Sequence, residues 1–330
     1  MHQAATFFAA LLALAPLASA ADSALLDLVM PDAKVVFGAN VSRILASPLG
    51  KNFTGKEPQV GAALAGFAAA TGFNLTRDLE EILVATTGGP KDAPTLVVLR
   101  GIFDKDRVRA FAKNNGASVS TYNGMEIYTG ARNMGTEKVA GAFAVIGQSI
   151  ALGGQLESVK AAIRNRNQGP RISADLGRKI AALSENYDAW FVSIVPASGL
   201  ASRLDDSKNA ATAEMLKAIE QLSGGVKFAD GLEFAAEILS HTQRDAERLG
   251  GGLQTIAAVL QSNPSTKCPD CLKIRVEDAT VHVSLIVPAS VIQQNLQARN
   301  QPRVVAPPPN TDIVIQSSPG DMGTVKLAQP

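Results

Sequence analysis

EEILVATTG (residues 80–88) and TLVVLRGIF (residues 95–103) are two apolar runs rich in Val, Ile and Leu, separated by Gly89-Pro90 and the polar pair Lys91-Asp92. Runs of this length bounded by Gly and Pro read as neighbouring strands joined by a loop. A helix signal follows at once. Asp104 stands where it can accept from the free N–H groups of a first turn, and Val108, Phe111 and Ala112 fall on one face at i, i+3 and i+4. Asn114-Asn115-Gly116 supplies the stop. SVSTY (118–122) and MEIYTG (125–130) then flank Asn123-Gly124, a hairpin signal because both turn residues tolerate positive φ. VAGAFAVIG (139–147) and SIALGG (149–154) form another strand pair, and Leu156, Val159 and Ile163 make the apolar stripe of a helix beginning near Gln155. Hairpins backed by returning helices predict an α+β layer, not a doubly wound parallel sheet.

Working outward, DAKVVFGANV (32–41) reads as a strand running into a helix from Ser42 to about Leu49. An Ala-rich helix covers Val60 to Thr71, with Gly72 stopping it, and GFNLTRDLEE (72–81) leads into the strand at Ile82. The first half closes at RNRNQGPR (164–171), where a solvated connector with a Gly-Pro turn is favoured over a phosphate or nucleic-acid patch. Beyond it comes a helix from Ala174 to Ser184, and then DAWFVSIVPASGLASRL (188–204) echoes DAKVVFGANVSRILASPL (32–49). Asp32-Ala33 matches Asp188-Ala189, Val36 matches Val192, and Leu45-Ala46-Ser47 matches Leu200-Ala201-Ser202 after one deletion. A second Ala-rich helix is expected over Ala210–Leu222, then strands VKFA (226–229) and LEFAAEIL (232–239). A long helical stretch follows from Thr242 to Gln261; at Gly250-Gly251-Gly252 either the helix breaks, the favoured reading since each interior Gly costs roughly 1 kcal/mol against Ala, or a neighbouring backbone packs close enough to need the missing side chains. LKIRVED (272–278) and TVHVSLIVP (280–288) form the last strand pair, leading into a helix carrying Ile292 and Leu296.

The expected organisation is therefore a segment 1–20 separate from the fold and two similar α+β halves, residues 21–168 and 169–300. Each half is mainly antiparallel sheet covered by helices, and a shared element order together with a short shared motif points to duplication. Residues 301–330 carry Pro302, Pro307, Pro308 and Pro309 and read as a disordered tail. The sharper alternative has Asp312 to Gln316 adding as a strand to a sheet edge.

Ala4 to Leu17 is an uncharged apolar run too short to span a bilayer comfortably, and Ala18-Ser19-Ala20 fits a cleavage site. The reading is a signal peptide cut between Ala20 and Ala21, over an uncleaved anchor, which makes the protein exported, to the periplasm or beyond. The mature chain has no further apolar segment near 20 residues and so no predicted membrane span. Thirty-one basic residues against 30 acidic ones, a net charge of +1, give no electrostatic reason to expect nucleic acid. At 5% aromatic content a base-stacking platform is also disfavoured.

GFNLTRDLEEILVATTG, TLVVLRGIFDKDRVRAFAKNNG, YNGMEIYTG and FAVIGQSIALGGQLESVKAAI resemble segments of a group of exported bacterial proteins of unknown function. The resemblance runs from Asp32 to Leu296 and rests on element order and turn positions. It implies an envelope location and a duplicated α+β fold, and brings no active site with it.

Cys268-Pro269-Asp270-Cys271 is the most distinctive motif. A redox C-x-x-C opens a helix, whose dipole lowers the thiolate pKa. A β-rich run follows here, so a local Cys268–Cys271 disulfide in an exported chain is the simplest reading, over a redox or zinc role. His282 lies on the opposite face from Val281, Val283 and Leu285 and reads as a polar strand residue. His241 and Asp245, at i and i+4, read as a solvated pair at a helix start, not a metal site. Glu80-Glu81 and Asp205-Asp206 are adjacent, so their side chains diverge. Asn40, Asn52 and Asn74 begin glycosylation-like triplets better explained as chance and capping. No nucleotide, hydrolase or metalloprotease motif occurs, and no cofactor, metal or catalytic residue is expected. The functional expectation is a non-catalytic envelope protein that binds another protein or a surface polymer. The alternative is a carrier of an apolar small ligand between sheet and helices, and behind it an enzyme whose site has no recognisable motif.

Overall fold

The computed structural model describes residues 23–51, 62–89, 93–134, 137–197, 216–262 and 271–292. The first part of the chain forms α1 (Ser23–Leu26), β1 (Val35–Asn40), α2 (Val41–Ala46), α3 (Pro48–Lys51), α4 (Ala62–Thr71), α5 (Leu75–Asp78), β2 (Leu79–Thr86) and β3 (Thr95–Gly101). There follow α6 (Lys105–Asn114), β4 (Ser118–Tyr122), β5 (Met125–Met134), β6 (Glu137–Ile146), β7 (Ile150–Gly154) and α7 (Leu156–Asn165). The remainder gives α8 (Ala174–Asn186), β8 (Ala189–Ser193), β9 (Ile219–Phe228), β10 (Gly231–Ser240), α9 (Gln243–Ser262), β11 (Leu272–Glu277) and β12 (Thr280–Pro288).

Polar side chains start the helices. Asn40, Asn74, Asp104 and Ser173 each accept from backbone N–H groups of the following first turn. Asn40 and Asn74, the glycosylation-like positions, are thus N-caps, while Asn52 lies outside the described residues. Asn123 and Gly124 take φ of 47° and 74° in the β4–β5 turn, the geometry their hairpin signal requires.

The strands form one antiparallel sheet in the order β11-β12-β10-β9-β8-β1-β2-β3-β7-β6-β5-β4. It runs without interruption through the β1–β8 ladder, so the two parts of the chain meet edge to edge within one sheet. The fold is mixed helix and antiparallel sheet, as the hairpin pattern predicts.

The sheet is covered on both faces. On the front, Val108 of α6 joins Leu79, Val145 and the half-buried Ile82 and Leu99 in one cluster, and Ala246 and Leu249 of α9 pack with Ile238 and Val281 in another. On the back, Val159, Ala162 and Ile163 of α7 and Leu176 and Ile180 of α8 pack with Val36, Leu83, Val98, Leu152 and Trp190. Leu25, Leu28 and Val29 complete that largest cluster.

Three expectations are corrected. The Ser42–Leu49 helix is two short ones, because Pro48 holds Ser47 extended at ψ 155°. The predicted helix over Ala210–Leu222 ends before Ile219, where β9 begins. Gly224 sits against the backbone of Ala235 and Gly225 against the ring of Tyr187, so this Gly pair belongs inside a strand that other groups approach closely. Finally, α9 runs unbroken through Gly250-Gly251-Gly252. A Cβ on Gly250 would stand 2.4 Å from Val276 Cγ2, so the missing side chain lets the helix lie close on β11.

Candidate functional site

In an antiparallel sheet, directly paired residues share a face. On the back face, the paired residues Leu83, Val98, Leu152 and Ala144 run across β2, β3, β7 and β6, all of them buried. Beyond the β1–β8 ladder the back face changes character. Ser223, Glu237, His282 and Arg275 are paired in a row across β9, β10, β12 and β11. This charged row lies on the face that is sealed core in the first part of the sheet, and its Glu237 and Arg275 side chains are mostly exposed.

This row floors a groove of about 940 Å³ between the sheet and α8. Ala182 and Leu183 of α8 and Ala235 of β10 give it apolar walls, and Lys179 of α8 and Lys273 of β11 add two cations. Tyr187 closes the α8 end. Its N–H donates to Leu183 O at 2.8 Å as the helix terminates, and a Cβ at Gly225 would lie 2.3 Å from its ring. Burial, and then the charges of Glu237 and Glu233, push its phenol above the usual range.

His282 stands between two carboxylates, with Nδ1 at 3.8 Å from Glu237 Oε1 and Nε2 at 3.8 Å from Glu277 Oε2. Glu277 also lies 3.6 Å from Arg275 Nη1. Both carboxylates are more than half exposed. The imidazole nitrogens therefore face solvated acids and not a serine hydroxyl, although Ser223 and Ser284 line the same groove. Such a row can bind by charge and hydrogen bonding, but it does not assemble a nucleophile with its base.

The other predicted positions lie elsewhere. Ala20, Ala21 and Cys268 fall outside the described residues, as do Asp205 and Asp206. Cys271 precedes β11, its carbonyl accepting from Ile286 N–H at 2.9 Å, and no cysteine is free among the described residues. His241 is not on the helix: it sits in the turn before α9, with Nδ1 3.8 Å from Glu220 Oε2. Asp245 instead accepts from the Thr242 hydroxyl at 2.7 Å while donating its own N–H to that oxygen, so the two predicted partners diverge. Glu80 is exposed and Glu81 buried, so the two neighbouring carboxylates do not share an environment. Arg164, Arg166 and Arg171 are exposed around the connector, in which Asn167 and Gly169 take positive φ. Among the described residues no group of three His, Cys, Asp or Glu is arranged to hold a metal ion. Nor is any helix there long and apolar enough to cross a membrane.

Sequence reasoning isolated His282 and its face but missed Glu237, Arg275 and Tyr187. The signal for Arg275 was present, since Lys273, Arg275 and Glu277 alternate with Leu272, Ile274 and Val276 as in a strand with one apolar face. What required the structure was the pairing that lines Arg275, His282 and Glu237 up.

No family model and no curated protein matches the chain. Among solved structures it is similar to two crystal forms of TP0453. Form I has 8% identity and a TM-score of 0.48, covering 83% of this chain and 96% of that one. Form IV has 11% identity and a TM-score of 0.47, covering 82% and 95%.

Proposed function

We propose that the protein is an exported, non-catalytic binding protein built from two similar α+β halves, whose second half carries a site for a small amphipathic anion. The observation that carries the reading is the groove. Leu83, Val98, Leu152 and Ala144 form sealed core in the first half, whereas Ser223, Glu237, His282 and Arg275 are a polar floor in the second.

The strand ladders support the two-half reading. The β2–β3 ladder skips one residue, Glu80, and the β9–β10 ladder skips one residue, Glu220. Placing Glu80 on Glu220 sets Val84 on Gly224, and their partners in the next strands are Phe37 and Phe191. These two pair with each other across β1 and β8, the relation a two-fold axis between equivalent strands demands. Followed the other way, the same correspondence sets Ile150 on Thr280 and Ile146 on Glu277. Those are the first residues of β7 and β12 and the last of β6 and β11. It moves the Val36–Val192 match by two residues and so keeps every side chain on its face.

Apolar walls with a few placed polar groups, at this volume, are the ordinary form of a small-ligand site. Lys179, Lys273 and Arg275 outnumber Glu237 among the charged groups facing the groove, which favours an anionic head on an apolar body. The N-terminal run ending at Ala20 supports export, and the lack of a nucleophile–base pair at His282 supports binding over catalysis.

Native mass spectrometry of the mature protein, released gently from its own envelope, tests this. The expected result is an added mass of small-molecule size that is lost from the Lys273→Glu, Arg275→Glu variant. A protein-sized addition would move the function to a macromolecular partner, and a small adduct unaffected by the double variant would place the site elsewhere.

A further inference from the structure

We infer that β4 is a docking edge for a second copy of this chain, the two β4 strands pairing antiparallel about a two-fold axis at Ser120. β4 is the last strand at one end of the sheet, with β5 on its inner side. The turn decides which of its backbone groups stay open. Asn123 and Gly124, both at positive φ, make a two-residue hairpin loop, so the facing pair Tyr122 and Met125 exchange hydrogen bonds. Ser120 and Ser118, two and four residues back, bond to β5 in the same way. The N–H and C=O groups of Val119 and Thr121 point away from it. The preceding outward N–H, that of Ala117, is already used, donating to Ala112 O at 3.0 Å. Among the described residues, no backbone group meets Val119 or Thr121 on the outer side.

The side chains give this edge little protection. Ser118-Val119-Ser120-Thr121-Tyr122 carries no charge and no proline, and its ladder with β5 has no bulge. Val119 is 41% exposed. The opposite end of the sheet is guarded, since Lys273, Arg275 and Glu277 alternate along β11.

The open groups are themselves two-fold symmetric, which selects a second copy as the partner. With the axis at Ser120, Val119 of each copy faces Thr121 of the other, and both pairs can exchange their hydrogen bonds. Between them the two Ser120 residues face each other, and Ser118 faces Tyr122. No like charges meet, and Val against Thr brings β-branched side chains together. The chain already joins its two parts in this manner, edge to edge through β1 and β8. Pairing through β4 continues one sheet into the next.

Sedimentation velocity of the mature full chain over a wide concentration range tests the edge. A monomer–dimer equilibrium is expected. Val119→Lys, Thr121→Lys sets like charges opposite each other in both outward pairs, and should weaken the dimer by about tenfold or more. Val119→Glu, Thr121→Lys sets opposite charges there and should keep it. Within the hairpin, position 119 faces Tyr128 and position 121 faces Glu126, so neither variant opposes like charges inside the chain. Ser120→Cys in a Cys268→Ser, Cys271→Ser background should give a disulfide-linked dimer on mild oxidation, because facing residues of this kind bring their Cα atoms to about 4.5 Å. A monomer at every concentration overturns the inference, and slow hydrogen exchange at Val119 and Thr121 in that monomer would give the edge to another segment of the chain. A dimer that both charge variants leave intact uses another surface, and one that both abolish has another register; either overturns it too. In the native mass spectrum a mass of two chains is this dimer, distinct from any ligand in the groove.

Discussion

Trp190 lies against Gly38 in the central β1–β8 ladder, so closely that a Cβ on Gly38 would stand 2.3 Å from the indole Cζ2. Trp190 is almost wholly buried in the back-face core. The glycine is thus a packing residue at the join between the two parts of the sheet. Gly38→Ala should destabilise the protein by about 1–3 kcal/mol through overpacking. Because Trp190 is the only tryptophan, its fluorescence reports that site alone. A lower urea midpoint with a red-shifted native emission is expected; an unchanged midpoint would mean the ring has room to move.

The three glycines of α9 give adjacent residues opposite signs. A Cβ on Gly251 meets nothing within 4 Å, whereas one on Gly250 collides with Val276 Cγ2. Gly251→Ala should stabilise by about 0.5–1 kcal/mol, the propensity difference of a helix interior. Gly250→Ala should destabilise by about 1–3 kcal/mol, because a β-branched Val side chain has little freedom to swing aside. Urea unfolding of both variants checks the pair, and stabilisation by both would show that α9 stands off β11.

The same glycines mark where the sequence stopped being legible. Asp104, Asn123-Gly124 and the α7 stripe were readable because cap, turn and amphipathic period act over a few residues. At Gly250 a break was favoured, and β9 was expected to begin only after Gly224-Gly225, because what these glycines accommodate, Val276 on β11 and Tyr187 and Ala235, is distant in the chain. The site failed for the same reason: Glu237, His282 and Arg275 are unremarkable alone and become a row only through the β10–β12 and β11–β12 registers.

Arg43 ties the first part of the chain to the second. Its Nε lies 2.9 Å from the buried Asp188 Oδ1, and its Nη1 donates to Ser184 O at 3.2 Å. Asp188 Oδ2 meanwhile accepts from Phe228 N–H at 2.7 Å. Arg43→Ala leaves that carboxylate buried with a single backbone donor, and should cost about 1–3 kcal/mol. In the Asp188→Asn background the same change should cost clearly less, since no charge is left stranded; a double-mutant cycle measures the difference. Additive losses would reduce the pair to two separate contacts.

Asp78 fixes the acid side of the stability profile. Hydrogen bonds from Arg77 hold its carboxyl below the usual carboxylate range, the Asn74 N–H helps, and burial opposes them. The geometry is bidentate, with Arg77 Nε and Nη2 each 2.6 Å from an Asp78 oxygen and Asn74 N donating at 2.8 Å. The folded state thus binds a proton on Asp78 less readily than the unfolded chain, whose carboxyl titrates near about 3.9. Asp78 therefore contributes its full stabilisation above that value and loses it as pH falls through the lower folded value. Wild type should exceed Asp78→Asn by a constant margin in urea unfolding from pH 7 to about pH 5. The margin should shrink steadily below about pH 4, and most of it should be gone before Asp78 is fully protonated in the folded state. A margin that stays flat down to pH 3 would show that Arg77 and Asp78 are coupled too weakly to bias the fold.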